Sequence, residues 1–277
     1  NEDLKQMGIP FDYSKPVSLL QYLLKMVMYE DNDSLLVDFF SGSATAAHAT
    51  IQLNAEDSGN RKFIMVQLPE PCAEGTEALK AGYNNICEIG KERIRRAGDK
   101  IKTEIEEQSA QMKIGEEPKQ VPDIGFKVFK LDSSNLKKWN GEVAYRQGED
   151  EQLKFDAEKL SEYLNSSIDN YMPDRTELDV VYEIMLKLGL DMTYPVEQCQ
   201  IAGKNVYSIG YGALMMCMDD DITIDVASGL AALYKELKPE TWKVVFKDNG
   251  FKDDSTKTNV LEILKAAGLE EDAFTTV

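Results

Sequence analysis

Residues 35–68 constrain the fold more than any other stretch. Leu35-Leu36-Val37-Asp38-Phe39-Phe40 is a short apolar run of the kind that forms a buried strand. Ser41-Gly42-Ser43-Ala44-Thr45 follows, all small residues, with one glycine and three hydroxyls. Residues 46–55 favour helix and stop near Ser58-Gly59-Asn60, and residues 62–68 form a second apolar run closed by Pro69-Glu70-Pro71. Strand, tight turn, helix and strand in this order make a βαβ unit. Two strands joined by a helical crossover lie parallel, so an α/β fold with a parallel sheet is expected.

The flanking sequence extends this reading. Lys15-Pro16 precedes an apolar-periodic helix over residues 17–29, with the proline where its missing N–H is not needed. Residues 76–110 read as one long helix, and residues 124–131 as a third strand ended by Asp132-Ser133-Ser134-Asn135. Residues 137–177 are polar and weakly patterned, with a loop near 141–151 and an acidic helix to about 165. A second unit follows. It has helices over 178–188, 222–237 and 255–267, strands over 205–209, 213–218 and 241–246, and a short strand in the tail. The expected organisation is a first domain over 1–136, a linking region over 137–177 and a small α/β domain over 178–277.

Charge and composition limit the partners. Thirty-one Lys and Arg against 49 Asp and Glu give a net charge of −18. Nucleic-acid surfaces are normally basic, so the chain is expected to bind DNA poorly by itself. No apolar run approaches the roughly 18 residues that a membrane helix requires. Cys72, Cys87, Cys199 and Cys217 form no CxxC pair, and free thiols in a reducing cytoplasm are expected. His48 is the single histidine, so no histidine metal cluster can form, and a structural role is expected for it. Arg93, Arg95 and Arg96 lie in a mixed-charge helix and read as a solvated face.

The turn at residues 41–45 is the candidate site. A strand ending in small residues lets backbone approach a ligand, and the free N–H groups at the following helix start suit an anion. An acid just past the next strand, Glu70, can accept two hydrogen bonds from a ribose diol, with Gln67 as the alternative. The pattern alone also fits a tight turn that binds nothing.

Several longer matches narrow this choice. Lys15-Pro16 with its helix, and Leu36-Val37-Asp38-Phe39-Phe40-Ser41-Gly42-Ser43, resemble the cofactor half of β-class DNA amino-methyltransferases. The stretch from His48 to Glu70, the run Lys91-Glu92-Arg93-Ile94-Arg95-Arg96, Gly125 to Asp132, and Val244 to Asn259 resemble the modification subunits of type III restriction–modification systems. The resemblance implies a partial Rossmann-like methyltransferase sheet that holds S-adenosylmethionine. It places Phe40 on the adenine or methionine part, Gly42, Ser43 and Thr45 along the turn, and Glu70 on the ribose. Ser14 and Lys15 would meet the carboxylate, Asp38 would orient the loop or reach the amino group, and Asp132 would touch the adenine. It also implies adenine-N6 methylation of DNA and a restriction subunit as partner, with a homodimer left open.

Two features depart from that family. Its loop usually reads F-x-G-x-G, and here Ala44 replaces the second glycine, adding a methyl and losing freedom at positive φ. Its catalytic (D/N)-P-P-aromatic motif has no counterpart, because no two of the nine prolines are adjacent. The expectation is a cofactor-binding and C-terminal fragment without catalytic residues, consistent with a first residue other than Met. The alternative is a non-catalytic assembly module with a degenerate cofactor site.

Overall fold

A computed structural model describes residues 2–11, 13–28, 31–111, 119–138, 140, 142, 145–147, 153–168 and 170–277. The chain is mixed α/β and divides into two compact units, residues 1–127 and 128–277. Among the described residues no helix is long and apolar enough to cross a membrane.

The first unit runs α1 (Glu2–Gln6), α2 (Val17–Val27), β1 (Leu35–Asp38), α3 (Thr45–Asp57), β2 (Lys62–Met65), α4 (Glu77–Lys80) and α5 (Ile86–Ala110). β1 and β2 are parallel, with Leu36 opposite Phe63 and Asp38 opposite Met65. The expected βαβ unit is therefore present. Because side chains alternate across a strand, Leu36, Phe63 and Met65 face the helices. Phe63 and Met65 pack with Ala47 and Ile51 of α3 and with Ile94, Ile101 and Ile105 of α5. Leu36 packs with Val17 and Leu24 of α2 and with Ala49 and Leu53 of α3.

The other face of this small sheet is bare. Leu35, Val37 and Phe39 on one side, and Ile64, Val66 and Leu68 on the other, are between 41% and 67% exposed. Isolated parallel sheets are rare because both faces normally need cover.

Buried Arg61 anchors the end of the unit remote from the turn. Its guanidinium grips both Asp57 oxygens at 3.0 and 2.9 Å and Asn32 Oδ1 at 2.7 Å. Burial pushes the Asp57 carboxyl up, but the hydrogen bonds and charge of Arg61 outweigh this and hold it below its usual range.

The structure corrects several expectations here. The long helix over 76–110 is two helices, parted at residues 81–85, where Gly82 takes φ +93° and Asn85 caps α5 through the Glu88 N–H at 3.1 Å. The third strand over 124–131 has no ladder partner among the described residues. Its alternation instead reflects two different supports. Ile124 and Phe126 pack on the α3–α5 core, while Phe129 meets Tyr182 of the second unit edge-on at 5.0 Å.

The second unit contains the hairpin β3 (Tyr145–Gln147) and β4 (Leu153–Phe155), then α6 (Ala157–Ser166) and α7 (Glu177–Lys187). A five-stranded sheet follows, in the order β5 (Val196–Ile201), β6 (Lys204–Ile209), β7 (Leu214–Cys217), β8 (Lys243–Phe246) and β9 (Phe274–Thr276). β5, β6 and β7 pair antiparallel, while β7, β8 and β9 pair parallel through the crossovers α8 (Ile224–Leu237) and α9 (Asp254–Ala267). Helices α8 and α9 cover one face and α7 the other. Thr176 and Asp179 form a reciprocal capping box at the start of α7. The hairpin and β5 lay outside the sequence expectation.

Candidate functional site

The site is built where β1 ends. Asp38 Oδ1 accepts from the Phe40 N–H at 3.2 Å, which ends the strand in a turn rather than letting it run on to Phe40. The ladder continues for one more step, with Val66 N–H donating to the Asp38 carbonyl at 2.8 Å and Ser41 N–H to the Val66 carbonyl at 3.2 Å. Gly42 then takes φ +53°, and its N–H donates to Gln67 Oε1 at 2.8 Å. Gln67 thus braces the turn, and no atom outside the turn approaches within 4 Å of the position a Gly42 side chain would occupy.

Ala44, the N-cap of α3, is left-handed at φ 57°, ψ 40°. Alanine therefore adopts the backbone that the sequence pattern reserves for glycine. Its methyl is buried in the α3–α5 core, where the Gly90 position of α5 lies close enough that an added Cβ would sit 3.5 Å away. The methyl that Ala44 adds to the turn faces this core.

Phe40 is 86% exposed, so it is not a core residue. Lys15 is exposed, and Ser14 is half-buried beside the turn. Ser43 and Thr45 are buried, and their hydroxyls lie 3.5 and 3.4 Å from Ser14 Oγ. The structure thus brings Ser14, Gly42, Ser43 and Thr45 together from two segments about thirty residues apart.

The residue that unites them was not foreseen as buried. Arg93 of α5 is fully buried, and its Nη1 donates to Thr45 Oγ1 at 2.7 Å, Ser14 Oγ at 2.8 Å and Ser43 Oγ at 2.9 Å. The solvated face expected for Arg93, Arg95 and Arg96 is corrected for Arg93. The signal was present in the spacing. Arg93 shares a four-residue repeat with Ile89, Ala97, Ile101 and Ile105, all on the buried side of α5.

Glu70 lies five residues past β2 and is exposed. Its N–H donates to the Leu68 carbonyl at 2.8 Å, and its carbonyl accepts from the Ile86 N–H at 3.0 Å, at the start of α5. Asp132 belongs to the second unit, where its carboxylate meets Arg175 at 2.7 Å. The Arg175 hydrogen bond and the Ser133 N–H hold the Asp132 carboxyl at about 2.

Chemically, the turn offers a strand end, a helix start, hydroxyls and an exposed aromatic ring on one edge of a parallel sheet. No family model matches the chain. Relatives do. The StyLTI Mod subunit of a type III restriction–modification enzyme from Salmonella typhimurium is 39% identical over 121 residues, 44% of this chain. The EcoP15I Mod subunit from Escherichia coli is 38% identical over 126 residues, 46% of this chain. The chain is a relative of type III Mod subunits. It spans 16% of the length of each of these two Mod subunits. The type II methyltransferase M.KpnI from Klebsiella pneumoniae is 33% identical over 100 residues, 36% of this chain and 24% of that enzyme. The mixed α/β architecture agrees with this relationship to Mod subunits and methyltransferases.

Proposed function

We propose that the first unit is the S-adenosylmethionine-binding part of a DNA adenine-N6 methyltransferase modification subunit, acting in the cytoplasm with DNA and a restriction subunit. The observation that carries this reading is the meeting of the Ser14 segment with residues 42–45 at the C-terminal end of β1. In open parallel α/β sheets, ligands are held at this edge. The residues present fit such a group. The space beside Gly42 is open, the Phe40 ring is free to stack, and the start of α3 suits a carboxylate.

In this reading Phe40 packs on the adenine, Glu70 accepts from the ribose diol, and Ser14 with Lys15 receives the amino-acid end. Gly42 lets the backbone come close, and Asp38 fixes the loop. The bound group supplies a methyl on a sulfonium, to be passed to the exocyclic amine of a base extruded from the duplex. No residue of this chain is assigned to that transfer, since the Pro-Pro motif is absent from the sequence. The outer edges of the two-stranded β1–β2 sheet, unpaired among the described residues, support the reading that the catalytic strands belong to another part of the methyltransferase.

Calorimetry with S-adenosylhomocysteine tests the reading directly. The chain is expected to bind it, and Glu70→Ala to weaken binding by about 1.5–3 kcal/mol, the scale of a hydrogen bond to a charged group. The chain alone is expected to transfer no labelled methyl to DNA. Absence of binding in both the parent chain and Ala44→Gly would refute the cofactor reading. Binding restored by Ala44→Gly alone would favour a degenerate assembly module.

A further inference from the structure

We propose that Arg93 is a positioning residue that pins the Ser14–Lys15 segment to the turn and so selects for the carboxylate end of the cofactor. This rests on the cofactor reading above.

A single guanidinium nitrogen joins three hydroxyls drawn from two distant segments: Ser14 on one side, Ser43 and Thr45 on the other. The same nitrogen lies 3.4 Å from the Ser43 carbonyl. Nη1 carries two protons, which the three hydroxyls share as acceptors. Ser14 Oγ also donates to the Lys15 carbonyl at 3.1 Å, which ties the exposed Lys15 to the same cluster.

Arg93 is fully buried beneath the start of α3, where the helix itself presents partial positive charge that favours an anionic group above the turn. The adenosine end would lie toward Phe40 and Glu70, which do not touch Arg93. The arginine should therefore act on one end of the ligand only.

The test compares S-adenosylhomocysteine with 5′-methylthioadenosine, which lacks the amino-acid end, on the full chain. Arg93→Met is expected to weaken S-adenosylhomocysteine by on the order of tenfold to a hundredfold. Methylthioadenosine should stay within about twofold. Arg93→Lys should restore part of the loss. Thr45→Val deletes the shortest contact without removing the cation, and should show the same split in smaller degree even if Arg93→Met folds poorly. Equal weakening of both ligands, or none, would overturn the proposal.

Failure of both the parent chain and Ala44→Gly to bind either ligand would refute the cofactor reading instead. The pinning is then read by hydrogen exchange without ligand. Arg93→Met should speed exchange at Lys15 and at residues 43–45 together, with Arg93→Lys slowing it again. Unchanged exchange at either segment would overturn the pinning.

Discussion

Replacing Ala44 by glycine tests whether the turn stores backbone strain. Left-handed backbone costs a non-glycine residue about 1–2 kcal/mol, and Ala44 sits there at φ 57°. Glycine would release that strain. Two losses oppose the gain. The Ala44 methyl is 2% exposed, and losing one buried methyl costs about 0.8 kcal/mol. Glycine also frees the unfolded chain, for about 0.4–1 kcal/mol. The terms nearly cancel, so Ala44→Gly should shift stability by less than about 1 kcal/mol in either direction. Ala47→Gly is the control. It removes an equally buried methyl from the regular helix α3, with no strain to release. Methyl loss and helix propensity together should cost it about 2 kcal/mol. Both tryptophans lie beyond residue 127, so their fluorescence would follow the wrong unit. Urea-dependent hydrogen exchange of the α3 and α5 amides reads the right one. A loss of about 2 kcal/mol in Ala44→Gly, equal to the control, would refute the strain argument.

Other outcomes follow from the packing and the charges. Gly90→Ala should be tolerated or stabilising, because its Cβ would meet the Gly42 carbonyl at 3.4 Å, an ordinary contact, in a helix that prefers alanine. Gly229→Ala in α8 should be destabilising instead, since the new Cβ would overlap the branched Ile201 side chain; a thermal melt that orders the two oppositely would refute this. Burial pushes the Glu183 carboxyl up, but Lys187, Ser134 and the Asn135 N–H outweigh it and hold it at about 2. A depressed folded value means that its stabilisation is present above the unfolded value near 4.3 and is lost as pH falls toward 2. Acid titration of the second unit should show this, and Glu183→Gln should flatten the profile over that window; an unchanged profile would show that the residue does not contribute.

The βαβ unit was legible because its pattern is local. An apolar run, five small residues, a helix and another apolar run leave few alternatives. The tight turn after β1 was legible for the same reason. What escaped depended on the partner of each segment. Residues 124–131 alternate like a strand, yet Ile124 and Phe126 pack on a helical core and Phe129 on Tyr182. Alternation records sidedness and does not specify a ladder. Asp132 was expected at a strand end, and it lies instead outside any strand, paired with Arg175 forty-three residues on. Arg93 was hidden by the charged residues Glu92, Arg95 and Arg96 around it, although its place in the repeat from Ile89 to Ile105 marked the buried side. Residue type suggested water, while position specified the core.

The uncovered side of the β1–β2 sheet bears on how the chain behaves in concentrated solution. Six apolar side chains on that side, beside strand edges that remain unpaired among the described residues, form a template for association with another molecule. The net charge of −18 opposes such contact by like-charge repulsion. That repulsion reaches only about 10 Å at 0.1 M salt and about 3 Å at 1 M. Colloidal stability is therefore set by ionic strength: light scattering should find dispersed chains in dilute buffer and growing assemblies as salt rises. A charged substitution at Val37 or Ile64 should delay that growth without disturbing the helices on the opposite side.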